Sequence, residues 1–454
     1  MDRDLLFKYN IPGPRYTSYP TVPYWQQTCP TDEKWEELAG TAFKISNQKE
    51  GISLYIHLPF CESLCTYCGC NTRITVNHSV EEIYIRALLK EWHLYFSVFG
   101  NEKPIIREIH LGGGTPTFFT PENLKLLIEG LLANADVHPQ AQFSFEAHPG
   151  NTTDAHLTAL YDVGFRRISI GVQDFNPMVL VLINRHQSYE QVNHLTQKAR
   201  EIGFTSVNYD IVYGLPKQKP CFMMETMMRV VQLRPDRIAF YSYAHIPWVK
   251  PGQRKFTEDD LPDPDQKMAI YETGRNALEI AGYKDIGMDH FSLETDELYR
   301  AQLEGRLHRN FMGYTDTHTQ LLIGLGVSSI SDCWNGYVQN EKVLENYYKK
   351  INADTLALAK GHELTAVDLI LRTHILNIMT QFETSWENKD QVCDELYSSV
   401  ERLSELENDE LVEITPYHLK VTEKGKAFVR NICMAFDARL WAKLPQTTIF
   451  SQTF

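Results

Sequence analysis

No stretch of this 454-residue chain is apolar for the ~18 or more residues a membrane-crossing helix needs. The opening MDRDLLFKYN carries acidic charge and lacks the apolar core of a secretion signal, so a cytoplasmic protein is expected. Basic charge is also short. Lys and Arg number 44 against 58 Asp and Glu, a formal net charge of -14. That balance opposes attraction to phosphate backbones or anionic lipid, so neither nucleic acid nor membrane is an expected partner, and an anionic small substrate needs a locally basic pocket. Low-complexity tracts are absent, and 43% hydrophobic with 22% charged residues is ordinary for a folded globular chain. A disulfide framework is missing too. Cys29, Cys221, Cys333, Cys393 and Cys433 stand singly and read as buried hydrophobes.

The other four cysteines crowd into SLYIHLPFCESLCTYCGCNT, as Cys61, Cys65, Cys68 and Cys70. Thiols this dense in a reducing compartment usually hold metal. The first three have the spacing CxxxCxxC, and three thiolates on one tight loop can hold three corners of an iron-sulfur cube while the fourth iron stays open to a small ligand. Structural zinc is the competing reading. It usually takes paired CxxC knuckles well separated in sequence, and no second pair exists here. Cys70 as a fourth ligand would strain a cube already held by Cys68.

From Ser53 onward a unit repeats six times: an apolar strand-like run, a loop, then a helix with apolar residues at 3.6 spacing. The strands are SLYIHL, IREIHL, QFSFEA, RRISIGVQ, SVNYDIVY and RIAFYS; the helices fall near 80–99, 121–132, 154–163, 189–202, 221–233 and 264–281. The first helix is read with Ile83, Tyr84, Leu88, Leu89 and Trp92 on one face. Sequential units of this kind demand parallel strands joined right-handedly, in a barrel or a doubly wound sheet. GGGTP does not match the dinucleotide fingerprint G-x-G-x-x-G, so the barrel is preferred. The fold class is α/β: a partial (β/α)6-type TIM-like barrel with an N-terminal arm and a mostly helical C-terminal domain. The boundaries expected are an arm over 1–50 packed on the barrel, the barrel with its extension over 51–355, and a winged-helix-like lid over 356–454, with helices over 366–379, 392–406 and 427–440. In a barrel the C-terminal strand ends share one mouth, and they carry Cys61, Gly112 to Thr115, Glu146 and His148, Gln173 and Asp174, Asp210, and His245.

Several motifs together carry a resemblance. CxxxCxxC after the first strand and GGGTP after the second resemble the radical S-adenosylmethionine superfamily. PGPRYTSYPT, YIHLPFC-x3-C-x2-CGC, LGGGTPT, GVQDF, DIVYGLPKQ, YAHIP, GMDHF, LHRNFMGYT and RNICMAFD narrow it to the oxygen-independent coproporphyrinogen III oxidase family, over nearly the whole chain. The resemblance implies that Cys61, Cys65 and Cys68 ligate a 4Fe-4S cluster, with Cys70 a family marker. It implies that Tyr55, Gly113, Glu146 and Ile330 contact the S-adenosylmethionine on the open iron. Tyr67, Gly114, Thr115, Gln173, Arg185, Asp210 and Ala244 match positions around a second S-adenosylmethionine, two per chain. The implied activity is anaerobic oxidative decarboxylation of two propionates of coproporphyrinogen III to vinyl groups, giving protoporphyrinogen IX in haem biosynthesis. The implied partners are the porphyrinogen and an electron donor and acceptor of unknown identity, with the chain a monomer. A haem-binding chaperone or haem-degrading paralogue is the alternative. Leu111 stands where an aromatic is expected in this family, and His148 where an acid is common. His57, His110, His245, His290 and His308 are candidates for substrate contact, and Arg15, Arg309 and Lys8 for holding propionates. Met223, Met224, Met227 and Met228 read as core packing.

Overall fold

The computed structural model describes residues 3–25, 30–248, 250–445, 447 and 449–453. Its centre is six parallel strands side by side in chain order: β1 (Ile52–Leu58), β2 (Ile105–Gly113), β3 (Asp136–Ala147), β4 (Phe165–Gln173), β5 (Ser206–Tyr213) and β6 (Arg237–Ser242). The helices after them are α1 (Val80–Val98), α2 (Pro121–Leu132), α3 (Asp154–Asp162), α4 (Tyr189–Ile202), α5 (Pro220–Leu233) and α6 (Pro264–Ile280). Local chemistry sets these limits. Thr120, Ser188 and Asp263 each accept a hydrogen bond from the backbone N–H three residues on, and Gly203, at φ 115°, ends α4. In α1 the buried face is Tyr84, Ile85, Leu88, Trp92 and Tyr95, while Ile83, expected inward, is 49% exposed. Ile85 and not Ile83 is in phase with Leu88 and Trp92 at the helical period.

Strand alternation gives the sheet two unlike faces. Ile109, Leu111, Phe143, Phe145, Ile168, Ile170, Val207, Tyr209, Ile238 and Phe240 point outward into one apolar core with the helices. The inner face carries Glu108 and His110, Ser144 and Glu146, Arg167 and Ser169, Asn208 and Asp210, Arg237 and Tyr241, all lining a cavity. The sequence predicts polar groups at the C-terminal strand ends; Cys61, Gly113 to Thr115, Glu146, His148, Gln173 and Asp210 line the cavity there, Gly112, Asp174 and His245 do not, and further polar groups run back along the inner face behind them.

The sheet continues past both edges to twelve strands and stays open. Beyond β1 lie Leu322–Leu325, parallel to it, then Ile330–Asp332, Gly336–Asn340 and Leu358–Glu363, antiparallel. Beyond β6 lie His290–Ser292 and Lys284–Gly287. A separate hairpin pairs His308–Asn310 with Gly313–Thr315.

The C-terminal region has the long helix Ala366–Gln381 and a three-stranded antiparallel sheet of Glu383–Ser385, His418–Val421 and Val412–Thr415. The helix expected over 392–406 is two, Asp394–Glu401 and Ser404–Asn408. That expected over 427–440 breaks where the Asp437 side chain accepts from the N–H of Leu440 and caps a new turn. The arm divides its contacts: Leu5, Leu6, Tyr9, Tyr16 and Tyr19 join the core of the C-terminal region and not that of the barrel. The helix Asp32–Ser46 sends Trp35, Ala39 and Phe43 into the barrel core. Of the scattered cysteines, Cys333 and Cys433 are buried, Cys393 is half-buried, Cys221 is exposed, and Cys29 lies outside the described residues. Met223 and Met227 are buried, whereas Met224 and Met228 are exposed. Among the described residues no helix is long and apolar enough to cross a membrane.

Candidate active site

β1 runs on into Pro59, Phe60 and Cys61 at its C-terminal end. There the cysteine loop closes on itself: the N–H of Arg73 donates to the Pro59 carbonyl (2.8 Å) and that of Thr75 to the Cys61 carbonyl (2.9 Å). The loop is tied to its surroundings by Thr66 N–H to the Ile183 carbonyl (3.0 Å), Gln253 Nε2 to the Tyr67 carbonyl (3.1 Å) and Lys250 Nζ to the Cys70 carbonyl (3.1 Å). Beneath it the buried Phe60 packs on Phe118 and Phe119. Glycine at the end of β2 permits close stacking on this base. A Cβ on Gly114 would sit 2.6 Å from the Pro59 carbonyl oxygen, and Gly113 takes φ +119° with its N–H 3.3 Å from Glu146 Oε2.

The loop and the strand ends enclose one cavity of about 600 Å³. Cys61, Cys65, Cys68, Tyr67, Gly113, Gly114, Thr115, Glu146, Gln173, Arg185, Asp210 and Ala244 all line it. Tyr55 and Ile330 do not. Tyr55 lies against the wall, its ring stacked on His110 at 5.9 Å and its hydroxyl 3.1 Å from His57 Nδ1. Ile330 is in the strand Ile330–Asp332, two strands from β1, packed with Trp25 and Tyr337.

Electrostatics differ from one cysteine to the next. Burial pushes the Cys61 thiol up to about 11 and raises Cys65, whose sulfur receives Arg185 Nη1 at 3.7 Å. The hydrogen bond from Cys70 draws Cys68 down to about 6, and the same bond raises Cys70. Cys61 Sγ lies 3.3 Å from Thr115 Oγ1. Arg185 also bonds the Gly171 carbonyl and Gln187 Oε1 (2.7 Å), so its fork is largely engaged by the protein. Gln173 holds a left-handed backbone, φ 65°, beside it. Asp210 accepts from Ser169 (3.0 Å) and Asn208 (3.0 Å), and burial, reinforced by the charge of Glu146, lifts its carboxyl to about 6. Burial and the Arg185 charge push His148 down to about 3.

Among the histidine candidates His110 and His290 line the cavity. His57 is structural: its Nε2 faces the Asn71 carbonyl (2.9 Å), so that nitrogen carries the proton and Nδ1 accepts from Tyr55. His245 contacts Tyr243, and His308 lies against His318 with ring centroids 4.2 Å apart and the rings tilted by 35°, both outside the cavity lining. Sequence reasoning missed Arg167, Ser169, Asn208 and Arg237; their period-two alternation with apolar residues was the available signal.

The donor set fits an iron-sulfur cube. Cys61, Cys65 and Cys68, with Cys70 beside them, are free thiols lining one cavity, with Arg185 and Lys250 adjacent to offset thiolate charge. Among the described residues no three of His, Cys, Asp and Glu converge as a single ion would require, whereas a cube takes each thiolate on a different iron.

Comparison with known proteins agrees with this geometry. The radical SAM superfamily matches residues 55–229. Oxygen-independent coproporphyrinogen III oxidase of Salmonella typhimurium is 40% identical over 447 residues, 97% of this chain and 96% of that one. The Escherichia coli K12 protein of the same name is 39% identical over 449 residues, covering 97% and 96%. The solved structure of coproporphyrinogen III oxidase from Escherichia coli, described as a radical SAM enzyme, superposes with a TM-score of 0.89 at 38% identity, over 96% of this chain and 99% of that one.

Proposed function

The chain belongs to the oxygen-independent coproporphyrinogen III oxidases of the radical SAM superfamily, and we propose that it converts two propionates of coproporphyrinogen III to vinyl groups without oxygen. The observation that carries this reading is the meeting of Cys61, Cys65 and Cys68 with the strand-end residues of β2 to β6 around one cavity. Relatives matched over 97% of the chain carry the oxidase name, so a haem-binding or haem-degrading paralogue is not favoured. Family membership brings a 4Fe-4S cluster and S-adenosylmethionine, which when bound supply a 5'-deoxyadenosyl radical that takes a hydrogen atom from a propionate, with carbon dioxide and one electron then lost.

In this reading Cys61, Cys65 and Cys68 hold the cluster. Glu146, which accepts from the Gly113 N–H, receives the cofactor's amine, and Tyr55 and Ile330 complete the contacts to that cofactor by resemblance to the family, although both stand outside the cavity lining of the ligand-free protein. A second S-adenosylmethionine lies along Tyr67, Gly114, Thr115, Gln173, Arg185 and Ala244, with Asp210 accepting from its ribose or amine. The partial enclosure restricts water and competing hydrogen donors. We further propose that 51–355 is the catalytic unit and 356–454 a lid; residues 371–440 have an apolar core apart from that of the sheet, while Leu356 to Leu358 pack in the barrel core and the strand Leu358–Glu363 pairs into the sheet itself. A cytoplasmic monomer is proposed, since free thiols suit a reducing compartment; a dimer by light scattering would refute the monomer.

The test is anaerobic incubation of cluster-loaded protein with S-adenosylmethionine, a reductant and coproporphyrinogen III. Carbon dioxide and 5'-deoxyadenosine are expected, and equilibrium dialysis should return two S-adenosylmethionine per chain. Intact, cluster-loaded protein that releases neither product overturns the assignment.

A further inference from the structure

Three basic residues were candidates for holding propionates, and the structure separates them. Lys8 is at the surface, paired with Glu405 (2.8 Å) and Asp409 (2.6 Å). Arg15 lines the cavity and spends one Nη2 hydrogen bond on the Ser242 carbonyl at 3.1 Å. Arg309 stands directly behind it, donating Nη2 to the Arg15 carbonyl at 3.4 Å with its guanidinium 4.5 Å over the ring of Tyr314, a cavity-lining residue.

Arg309 is only 7% exposed, yet its Nε and Nη1 have no hydrogen-bond partner. Among the described residues no carboxylate pairs with Arg309 or Arg15 at salt-bridge distance. A buried, permanently charged fork with two vacant donors is costly unless an anion completes it, and the planar geometry of Nε and Nη matches the two oxygens of a carboxylate. The acids of this region leave the fork open: Asp289 feels the Arg15 charge without forming a salt bridge to it, and Asp316 and Asp296 pair with Arg167 and Arg237.

We propose that Arg309, with Arg15 at the cavity wall, is a carboxylate subsite that grips one propionate of the substrate not undergoing reaction. The subsite rests on the function proposed above. It lies at the hairpin His308–Asn310/Gly313–Thr315, whose Met312, Tyr314 and Thr315 line the cavity while Arg309 stands just behind them, so a carboxylate that reaches past Arg15 to Arg309 anchors the macrocycle and directs another of its side chains toward the cluster.

The experiment uses cluster-loaded protein and three variants, Arg309→Gln, Arg309→Lys and Lys8→Gln. The KM for coproporphyrinogen III should rise at least roughly ten-fold in Arg309→Gln, recover in part in Arg309→Lys, and stay unchanged in Lys8→Gln. Cluster absorption serves as the fold control. Fluorescence titration adds a turnover-free readout: coproporphyrin III should bind more weakly to Arg309→Gln than to the parent, while its tetramethyl ester should not discriminate. An unchanged KM and unchanged coproporphyrin III binding in Arg309→Gln overturn the subsite and leave the proposed function standing. If the parent protein itself gives no turnover, that function fails. The subsite is then judged by whether sodium propionate raises the unfolding temperature of the parent above sodium chloride at equal ionic strength, and does not do so for Arg309→Gln; no difference overturns it.

Discussion

Asp210 shows how a buried carboxyl in this cavity costs the ligand-free fold stability. Its carboxyl is raised from 3.8 to about 6, first by burial and then by the charge of Glu146. Between those values the folded protein keeps a proton that the unfolded chain has released, so this residue makes the fold less stable as pH rises from about 4 to about 6, and the loss persists above that. Two units correspond to about 3 kcal/mol. Asp210→Asn should therefore raise the stability of the ligand-free protein at pH 8 by up to about 3 kcal/mol, with the gain shrinking toward pH 4. Urea unfolding of both proteins at pH 4.5 and pH 8 tests this, and a difference independent of pH would sink it. The same variant should bind S-adenosylmethionine more weakly, since an amide offers a poorer acceptor to a ribose hydroxyl or an amine than a carboxylate does. The Arg309 fork is its counterpart in charge: both are buried groups whose charge the free protein leaves incompletely compensated.

At the scale of elements, what lay in local pattern was readable. The limits of α2 and α4 follow from Thr120, Ser188 and Gly203, whose capping chemistry is visible in sequence. What depended on tertiary partners was not: the short strand Glu383–Ser385 exists because it pairs with His418–Val421, and Ile83 faces solvent because neighbouring Ile85 takes the core position. The candidate site was legible where glycine or cysteine spacing announced it; Arg309 was one of three basic candidates in the sequence, but the missing partner that sets it apart from Lys8 exists only in the folded chain. The junction of β2 with the cysteine loop is the element-level feature on which the site depends. An added Cβ at Gly114 would meet rigid backbone, 2.6 Å from the Pro59 oxygen and 2.9 Å from that of Phe60. Gly114→Ala should cost about 1–3 kcal/mol and shift Cys61, lowering the iron bound per chain after reconstitution. Iron analysis with a thermal melt checks it; full iron with an unchanged melt would count against the close packing inferred here.

For the whole molecule, a surplus of negative charge coexists with a cavity in which Arg15, Arg167, Arg185 and Arg237 stand against Glu62, Glu108, Glu146 and Asp210; with Arg167 and Arg237 paired to Asp316 and Asp296 and Arg185 engaged by the protein, Arg15 is the lining guanidinium left to meet an anionic substrate. Arg15 is held there by a long-range clamp. Residues 11–13 and 451–453 run antiparallel, with the N–H of Gly13 to the Ser451 carbonyl (3.0 Å) and that of Thr453 to the Ile11 carbonyl (3.0 Å). Arg430, 6% exposed, locks the pair by donating to the carbonyls of Pro14 (3.0 Å), Gln452 (3.0 Å), Thr453 (3.0 Å) and Gly13. Burial, with the Arg15 charge nearby, draws its guanidinium down to about 10, so the clamp is held by carbonyl acceptors at a cost in desolvation. Arg430→Ala leaves those acceptors short of a donor and should destabilise the fold by about 2–4 kcal/mol. Its more telling consequence is local: residues 9–15 should detach, exposing the Arg15–Tyr16 bond to trypsin and withdrawing Arg15 from the cavity. Cleavage after Arg15 should accelerate roughly ten-fold or more, followed by mass spectrometry, together with a raised KM for coproporphyrinogen III. Cleavage at the parental rate would mean that the apolar anchors Leu5, Leu6 and Tyr9, not Arg430, hold the arm against the cavity.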